Sequence, residues 1–372
     1  MRNKAWRIAA VMAAAGALAF AGCGDDEDDG GGGGGGGGDT AQAKIGVILP
    51  DAASSARWET ADRRFLGEAF KAAGVEYDIQ NANGDKAKFS TIADQMINSG
   101  VTVLMLVNLD SPSAATVIKK ARDQGIPAID YDRLTLGGGA DYYVSFDNVA
   151  VGTTIGEGLV KCMQDNGDDS GPVALLNGSP TDNNATLFKQ GYEKAITDAG
   201  YEVAADQSVP DWDNTKAGTI FEQMYTKANG NFVGVAAAND GLGGAVAAVL
   251  KRNGDTEKVP TTGQDATAEG LQRVLLGSQC MTVYKAIKKE ADAASKLAIA
   301  LAKGDTAGAD ALATGTVEDT ETKEQVKSVL LQPQAIFPEN VKDVVADGFT
   351  TADKICTTEA LKKACEENGV SG

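Results

Sequence analysis

Polar and aromatic side chains recur directly after short apolar runs of this sequence, and their chemistry suits a polyhydroxyl ligand. Carboxylates, amides, guanidinium and ammonium groups together donate to and accept from neighbouring hydroxyls, and charged partners strengthen each hydrogen bond. Indole rings cover the apolar C–H face of a pyranose ring. The candidate binding residues are Arg57, Trp58, Asp132, Arg133, Asp182, Asn183, Asn184, Trp212, Asn239, Asp240, Asp265 and Lys285.

Each of these residues also has an ordinary structural interpretation. An aspartate after a strand, such as Asp182, often caps the next helix, and Asn239-Asp240 is typical of a turn. The two tryptophans could be core residues, and Arg133 could pair with the aspartate before it. Because such side chains follow seven separate apolar runs, a shared site explains them better than unrelated caps and turns.

The elements that must position these residues alternate between helical segments and continuous apolar strands. This alternation predicts an α/β chain with parallel sheets covered on both faces, and its restart near residue 148 predicts two doubly wound lobes. Ligands of such sheets bind outside the carboxyl ends of the strands. The predicted strands are Lys44–Leu49, Tyr77–Gln80, Val101–Asn108, Ile126–Tyr131, Pro172–Leu176, Tyr201–Val209, Phe232–Ala238, Val259–Gly263, Cys280–Val283, Ser328–Leu331 and Gln334–Phe337.

Composition argues against several classes of function. The 372 residues include no histidine, which rules out Ser-His-Asp and Cys-His catalysis. No HExxH motif, Walker loop or GxGxxG after a strand occurs, so we expect no metal, no cofactor and no enzyme. The formal net charge of −18 argues against nucleic-acid binding. Asp182 and Asp265 could be proposed as a glycosidase pair, but their amide and basic neighbours favour binding hydroxyls.

The first 43 residues predict export and anchoring. Basic residues precede an apolar stretch that ends in Ala21-Gly22-Cys23, which is the order of a lipoprotein signal peptide. We expect residues 1–22 to be removed and Cys23 to carry lipid, and an ordinary signal peptide that happens to hold a cysteine is the alternative. Residues 23–43, acidic and then glycine-rich, predict a flexible tether.

Lipidation of Cys23 would leave an even set of four cysteines in the body. Cys356 and Cys365 are close in sequence and flank a helical stretch, which favours a disulfide between them and leaves Cys162 to pair with Cys280. Four free thiols are the alternative. A metal site is less favoured because no CxxC spacing occurs.

The body resembles the periplasmic sugar-binding proteins of ABC transporters, in the ribose/galactose-type group, and most of all the D-xylose binders among them. The resemblance runs from Lys44 to about Thr350. It is carried by the segments SARW at 55–58, YDR at 131–133, SFDN at 145–148, GSPTDNNA at 178–185, NDG at 239–241, GQDA at 263–266 and MTVYK at 281–285.

This resemblance implies the type I periplasmic-binding-protein fold, with two lobes joined by a hinge of several crossovers. The implied lobes are residues 44–147 with about 264–330, and residues 148–263 with about 331–372. We expect closure by rotation near Ser145–Asn148 and Gly263–Ala266. The resemblance implies that Trp58 and Trp212 sandwich the sugar ring. The hydrogen-bonding residues it implies are Arg57, Arg133, Asp182, Asn184, Asn239, Asp265 and Lys285, with Asp132 and Asn183 beside them.

The resemblance also implies a monomeric binding component that captures a monosaccharide, with D-xylose favoured, and delivers it to a permease with a cytoplasmic ATPase. The lipid on Cys23 would hold it at the outer face of the cell membrane or in the periplasm. A binder of glucose, galactose and arabinose, or a sensor that presents sugar to a membrane receptor, are the alternatives. A lactose-repressor-type regulator would need an N-terminal DNA-binding module, where this chain has a signal and a glycine tether.

Overall fold

A computed structural model describes residues 43–371 of the chain. The predicted signal peptide, Cys23 and all but the last residue of the tether lie outside the described residues. The described residues form parallel sheets with helices packed on their faces, which confirms the predicted α/β class. None of their helices combines the length and apolarity that a membrane span requires.

The strands and helices alternate along the chain much as the apolar pattern predicts. The strands are β1 (Lys44–Leu49), β2 (Glu76–Asn81), β3 (Val103–Leu106), β4 (Ala128–Tyr131), β5 (Tyr142–Phe146), β6 (Pro172–Asn177), β7 (Glu202–Ser208), β8 (Gly234–Ala237), β9 (Thr282–Tyr284), β10 (Gly315–Glu318), β11 (Gln325–Leu331) and β12 (Gln334–Ile336). The helices are α1 (Arg63–Ala72), α2 (Lys86–Asn98), α3 (Ser111–Asp123), α4 (Asn148–Asp165), α5 (Asn183–Asp198), α6 (Asn214–Lys227), α7 (Asp240–Asn253), α8 (Ala268–Leu275), α9 (Ile287–Ala302), α10 (Thr306–Leu312), α11 (Val341–Ala346), α12 (Ala352–Ile355) and α13 (Glu359–Glu367).

The first sheet has the strand order β10-β11-β5-β4-β3-β1-β2, and all its pairs are parallel except β10 with β11. The strands β3, β4 and β5 are buried along their whole length because helices cover both faces. Strands β5 and β10 were not predicted from the sequence. The segment of β5, Tyr-Tyr-Val-Ser-Phe, follows a loop with three glycines and has no amphipathic helix before it.

The second sheet is smaller, with the order β7-β6-β8, and a separate antiparallel pair joins β9 to β12. The predicted strand Val259–Gly263 is reduced to a single bridge between Thr261 and Val235. Both predicted disulfides are formed. Cys162 of α4 is joined to Cys280, and Cys356 is joined to Cys365.

The packing of elements defines two lobes, and it differs from the expected boundary at residue 264. We call β1–β5, α1–α3, α9, α10, β10 and β11 the first lobe, and α4–α8, β6–β9, β12 and α11–α13 the second lobe. The segment with α8 and β9 was expected in the first lobe. It packs instead on α7 and α4, because Asp240 bonds to Thr267 and Thr282 and because a disulfide fixes Cys280.

The chain therefore crosses between the lobes at three places. The first crossover lies between β5 and α4, close to the expected hinge at Ser145–Asn148. The second lies at Lys285–Ala286, between β9 and α9, and not at Gly263–Ala266 as expected. The third joins β11 to β12. A candidate ligand-binding residue, Lys285, thus stands in a crossover itself.

Candidate functional site

The carboxyl ends of the strands of both lobes face one small cavity, with about 330 Å³ of empty space. Loops after β1, β4, β6, β7, β8 and β9 supply its walls, as parallel-sheet topology requires. The lining residues are Ser54, Ser55, Arg57, Trp58, Asp132, Arg133, Asp182, Asn184, Phe188, Trp212, Asn239, Gln264, Asp265 and Lys285.

The first lobe supplies Arg57 and Trp58 from the loop after β1, and Asp132 and Arg133 from the loop after β4. Trp58 opens a single wide helical turn, Trp58–Asp62, and is only 2 % exposed. The Arg57 guanidinium stacks over its ring, with Cζ 4.2 Å from the ring centroid. Asp132 has a φ of 63°, a backbone conformation that is uncommon outside glycine and clusters at functional sites.

The second lobe presents side chains from helix starts and from the loop after residue 263. Asp182 caps α5, because its Oδ1 accepts from the backbone N–H of Asn184 at 2.9 Å. Asn239 caps α7 in the same way through Leu242. The capping interpretation of Asp182 is therefore correct, whereas Asn239-Asp240 begins a helix and not the turn of the alternative interpretation. Asp182 and Asn239 both still line the cavity. Asp265, like Asp132, has a positive φ, here 96°.

Aromatic rings form the apolar part of the wall. Trp212 lies in the short turn Pro210–Trp212 and donates its Nε1–H to Asp182 Oδ2 at 3.0 Å. Its ring meets Phe188 of α5 edge to face, with centroids 6.5 Å apart. Gly178 is required beneath it, since a Cβ there would stand 2.1 Å from the indole. The core interpretation of the two tryptophans is partly right, because both are buried while lining the cavity.

Direct bonds between three pairs of cavity residues join the lobes. Arg133 Nε lies 3.0 Å from Asp182 Oδ2. Asn184 Nδ2 donates to the backbone carbonyl of Asp132 at 2.9 Å and to its Oδ1 at 3.1 Å. Asn239 Nδ2 donates to the Ser54 carbonyl at 3.4 Å. The lobes are therefore in a closed arrangement, and cavity side chains themselves hold it.

Basic groups dominate the electrostatics of Asp132. Burial alone would raise the pKa of this carboxyl, but Lys285, Arg57 and Arg133 outweigh burial and lower the pKa to about 2. Lys285 Nζ lies 3.7 Å from Asp132 Oδ2 and 3.5 Å from Asp265 Oδ1. Asp132 is therefore ionised, and it can accept from a ligand hydroxyl at neutral pH.

Arg57 is held by carboxylates behind the cavity. Its Nε and Nη2 donate to the two oxygens of Asp62 at 2.9 and 2.8 Å, and Nη1 donates to Asp132 Oδ2 at 2.9 Å. Tyr131 donates its hydroxyl to Asp62 Oδ1 at 2.6 Å. The surrounding acidic groups raise the pKa of Arg57 further, even though burial acts to lower it. This guanidinium is a fixed cation at the wall of the site.

The structure brings ten of the twelve predicted binding residues to the cavity and leaves out Asn183 and Asp240. Asn183 is the half-buried first residue of α5 and does not line the cavity. Asp240 points away from it and accepts from Thr267, Gln279 and Thr282. Burial raises the pKa of Asp240 to about 6. It joins α7 to the segment with α8 and β9.

Four lining residues were not predicted from the sequence, namely Ser54, Ser55, Phe188 and Gln264. The buried side-chain oxygens of Ser55 and Gln264 have no protein partner and are therefore available to a hydroxyl ligand. In the described part of the chain, no group of three or more carboxylates or cysteines is arranged to hold a metal ion. The arrangement offers charged and neutral donors, acceptors and flat apolar faces, which together match a single polyhydroxyl ring.

Comparison with known proteins agrees with this geometry. The model of the periplasmic binding protein domain family matches residues 45–306, and the chain belongs to this family. Its fold is the type I periplasmic-binding-protein fold.

Two relatives match more than four-fifths of the chain. The D-xylose-binding periplasmic protein of Escherichia coli is 34% identical over 313 residues, which cover 83% of this chain and 91% of that protein. The multiple sugar-binding periplasmic protein SbpA of Azospirillum brasilense is 30% identical over 331 residues, which cover 82% and 89%.

A solved structure is similar in both fold and sequence. The ABC transporter solute-binding protein of Clostridium phytofermentans, with bound β-D-glucose, superposes with a TM-score of 0.75 at 25% identity and covers 84% of this chain and 99% of that one. The relatives are solute-binding proteins and not enzymes. The chain is accordingly a sugar-binding, extracytoplasmic component of the ABC-transporter type.

Proposed function

We propose that this protein captures D-xylose between its lobes and delivers it to a membrane permease driven by a cytoplasmic ATPase. The observation that carries the proposal is the cavity itself, in which Arg57, Asp132, Arg133, Asp182 and Lys285 converge with two indole faces. Charged groups strengthen hydrogen bonds to hydroxyls, and the rings cover an apolar sugar face. The partner permease is inferred from the family and from no residue of this chain.

The size of the cavity supports a monosaccharide over a longer sugar. It is small, with about 330 Å³ of empty space even when the open solvent within it is counted. Direct bonds such as Arg133 to Asp182 join the lobes across it. D-xylose is favoured because D-xylose-binding proteins are 34% identical to this chain.

A binder of several monosaccharides is the second candidate. SbpA, a multiple sugar-binding protein, is 30% identical, and two similar solved structures hold glucose. D-glucose differs from D-xylose by one hydroxymethyl group, so a pocket that tolerates this group accepts both. A role in presenting sugar to a membrane receptor would use the same site.

Closure is the mechanism of capture in this proposal. Sugar meets one lobe of an open form, and rotation at the three crossovers brings the other lobe onto it. Lys285 stands in a crossover, between Asp132 of the first lobe and Asp265 of the second. Closure of the lobes therefore also brings together the ion pairs of Lys285 with these two carboxylates. Lipid on Cys23 keeps the cleft near the permease, and we expect a monomer to suffice.

Titration calorimetry on residues 24–372 tests the proposal with D-xylose, D-glucose, D-galactose and L-arabinose. We expect one sugar per chain and the highest affinity for D-xylose. Asn184→Ala removes a bond between the lobes and should weaken binding at least tenfold. Thr186→Ala, exposed on the same helix, is the matched control and should bind like the wild type. No heat with any monosaccharide would refute the proposal, and equal affinities for all four would favour the second candidate.

A further inference from the structure

The donors of Arg57 are almost fully used inside the protein. A guanidinium has five N–H groups. Four of them are directed at carboxylates, because Nη2 donates to Glu290 Oε2 at 2.7 Å in addition to the bonds with Asp62 and Asp132. Arg57 can therefore offer a ligand one N–H at most, on Nη1. Its larger effect on the cavity is to hold Asp132, to which Nη1 donates.

Glu290 is a buried carboxyl that does not line the cavity. It lies in the first turn of α9, directly after the crossover at Lys285–Ala286, and is 0 % exposed. One oxygen accepts from Arg57 and the other, Oε1, has no partner. Burying a carboxyl that is only partly satisfied destabilises a fold, so packing alone does not account for a glutamate here.

The groups that face Glu290 come from several elements of the first lobe and from the crossover. The pKa of Glu290 depends on the charges of Asp62, Asp132, Arg57 and Lys285. The charge of Glu290 in turn contributes to the raised pKa values of the Tyr131 and Tyr143 hydroxyls. Burial, followed by the repulsion of the two aspartates, raises the pKa of Glu290 well above its ordinary value although Arg57 acts to lower it. A neutral Glu290 still offers Arg57 an acceptor oxygen.

We propose that Glu290 is a positioning residue for sugar binding, which fixes the Arg57 guanidinium and through it the Asp132 carboxylate. The proposal rests on the function proposed above. Without the Glu290 acceptor, one N–H of Arg57 is buried without a partner, and the guanidinium turns toward the remaining carboxylates. Asp132 then loses its fixed place between Arg57, Lys285 and Asn184.

Two variants of Glu290 separate positioning from packing. Glu290→Leu removes the acceptor, and we expect D-xylose to bind at least tenfold more weakly. Glu290→Gln keeps an acceptor oxygen for Arg57 and should bind within about threefold of the wild type, which is a rescue by the conservative variant. Ser295→Ala is the control on the same helix, since Ser295 is buried and its hydroxyl has no partner. It should bind like the wild type.

Calorimetry on the four proteins, each first checked for a cooperative thermal transition, gives distinct outcomes. Wild-type affinity in Glu290→Leu, or an equal loss in Glu290→Leu and Ser295→Ala, would overturn the positioning role. A Glu290→Gln protein that binds D-xylose as weakly as Glu290→Leu would also overturn it. If Glu290→Leu fails to fold, a Glu290→Gln protein that binds D-xylose tenfold more weakly than the wild type would overturn it. A wild-type protein that binds no monosaccharide would instead refute the proposed function.

Discussion

Asp182→Asn changes one atom at the contact between the lobes and should weaken sugar binding without melting α5. In the wild type, Asp182 Oδ1 caps α5, while Oδ2 accepts from Arg133 Nε and Trp212 Nε1, each at 3.0 Å. Asparagine keeps the capping oxygen and is as good a cap as aspartate. Its amide nitrogen, however, faces two donors, so both bonds of Oδ2 are lost.

The size of the effect follows from these two bonds. A hydrogen bond to a charged group contributes about 1.5–3 kcal/mol, and about 1.4 kcal/mol corresponds to a tenfold change in affinity. The bond to Arg133 joins the two lobes, so its loss destabilises the closed form, which is the form that holds sugar. We expect D-xylose to bind roughly 10- to 100-fold more weakly to Asp182→Asn in titration calorimetry. The unfolding temperature of the unliganded protein should fall only modestly, because of the two lost bonds only the one to Trp212 lies within a lobe.

A comparison with Asp182→Ala and a double-mutant cycle complete the test. Alanine also removes the cap, which costs about 1 kcal/mol of stability, so its unfolding temperature should fall while its affinity resembles that of the Asn variant. Combining Asp182→Asn with Arg133→Met should cost less than the sum of the single changes, since each removes the same bond. Wild-type affinity in Asp182→Asn, or strict additivity in the cycle, would refute the bond between the lobes as a source of affinity.

Three further predictions concern the aromatic wall, the anchor and a buried acid outside the cavity. Trp212→Leu should weaken D-xylose binding about tenfold in calorimetry through loss of its ring face, and an unchanged affinity would contradict the stacking role. Cys23→Ser should move the protein from the membrane fraction to the medium on immunoblots with unchanged affinity, and retention in membranes would argue against lipid at this residue. Burial raises the pKa of Asp130 to about 7, so wild-type stability should fall as pH rises from about 4 through about 7. Asp130→Asn should remove that fall and, above about pH 7, should raise the free energy of unfolding by roughly 4 kcal/mol at most. Parallel pH profiles of thermal unfolding in the two proteins would contradict this origin.

The sequence predicted which side chains gather at one cavity, because strand ends in parallel sheets have fixed positions. Asp132 and Asp265 could be placed at one cavity from the sequence, since the first directly follows an apolar run and the second lies two residues after one. Neighbouring residues were harder to separate. Successive residues of a helix point about 100° apart, so Asn184 faces the cavity while Asn183 does not. Asn239, the extended cap residue of α7, lines the cavity, while Asp240, the first residue of the helix, points away from it.

Other residues in or behind the cavity wall were missed because their sequence signal is that of packing. Phe188 lies inside α5 and has the spacing of a core residue, and only the approach of Trp212 reveals its place in the wall. Glu290 had a signal that could have been used. It occupies the buried face of α9 together with Ile287, Ala291 and Ala294, and a charged residue in an apolar stripe requires a partner.

The boundary between the lobes could not be derived from local pattern. The segment with α8 and β9 has ordinary helix and strand spacing, and nothing in that spacing selects a lobe. Its place is decided by contacts distant in sequence, which are the bonds of Asp240 and the disulfide from Cys162 to Cys280. Contacts of this kind, between residues distant in sequence, produce no periodic pattern in the sequence.

Tryptophan fluorescence of residues 24–372 tests the central claim most directly, because it reports from the cavity alone. The sequence has three tryptophans, and removing the segment with Trp6 leaves Trp58 and Trp212, both of which line the cavity. Titration with D-xylose should change the emission saturably, with the same midpoint as the calorimetric titration. Heat of binding without any change in emission would place the sugar elsewhere on the protein and contradict the account.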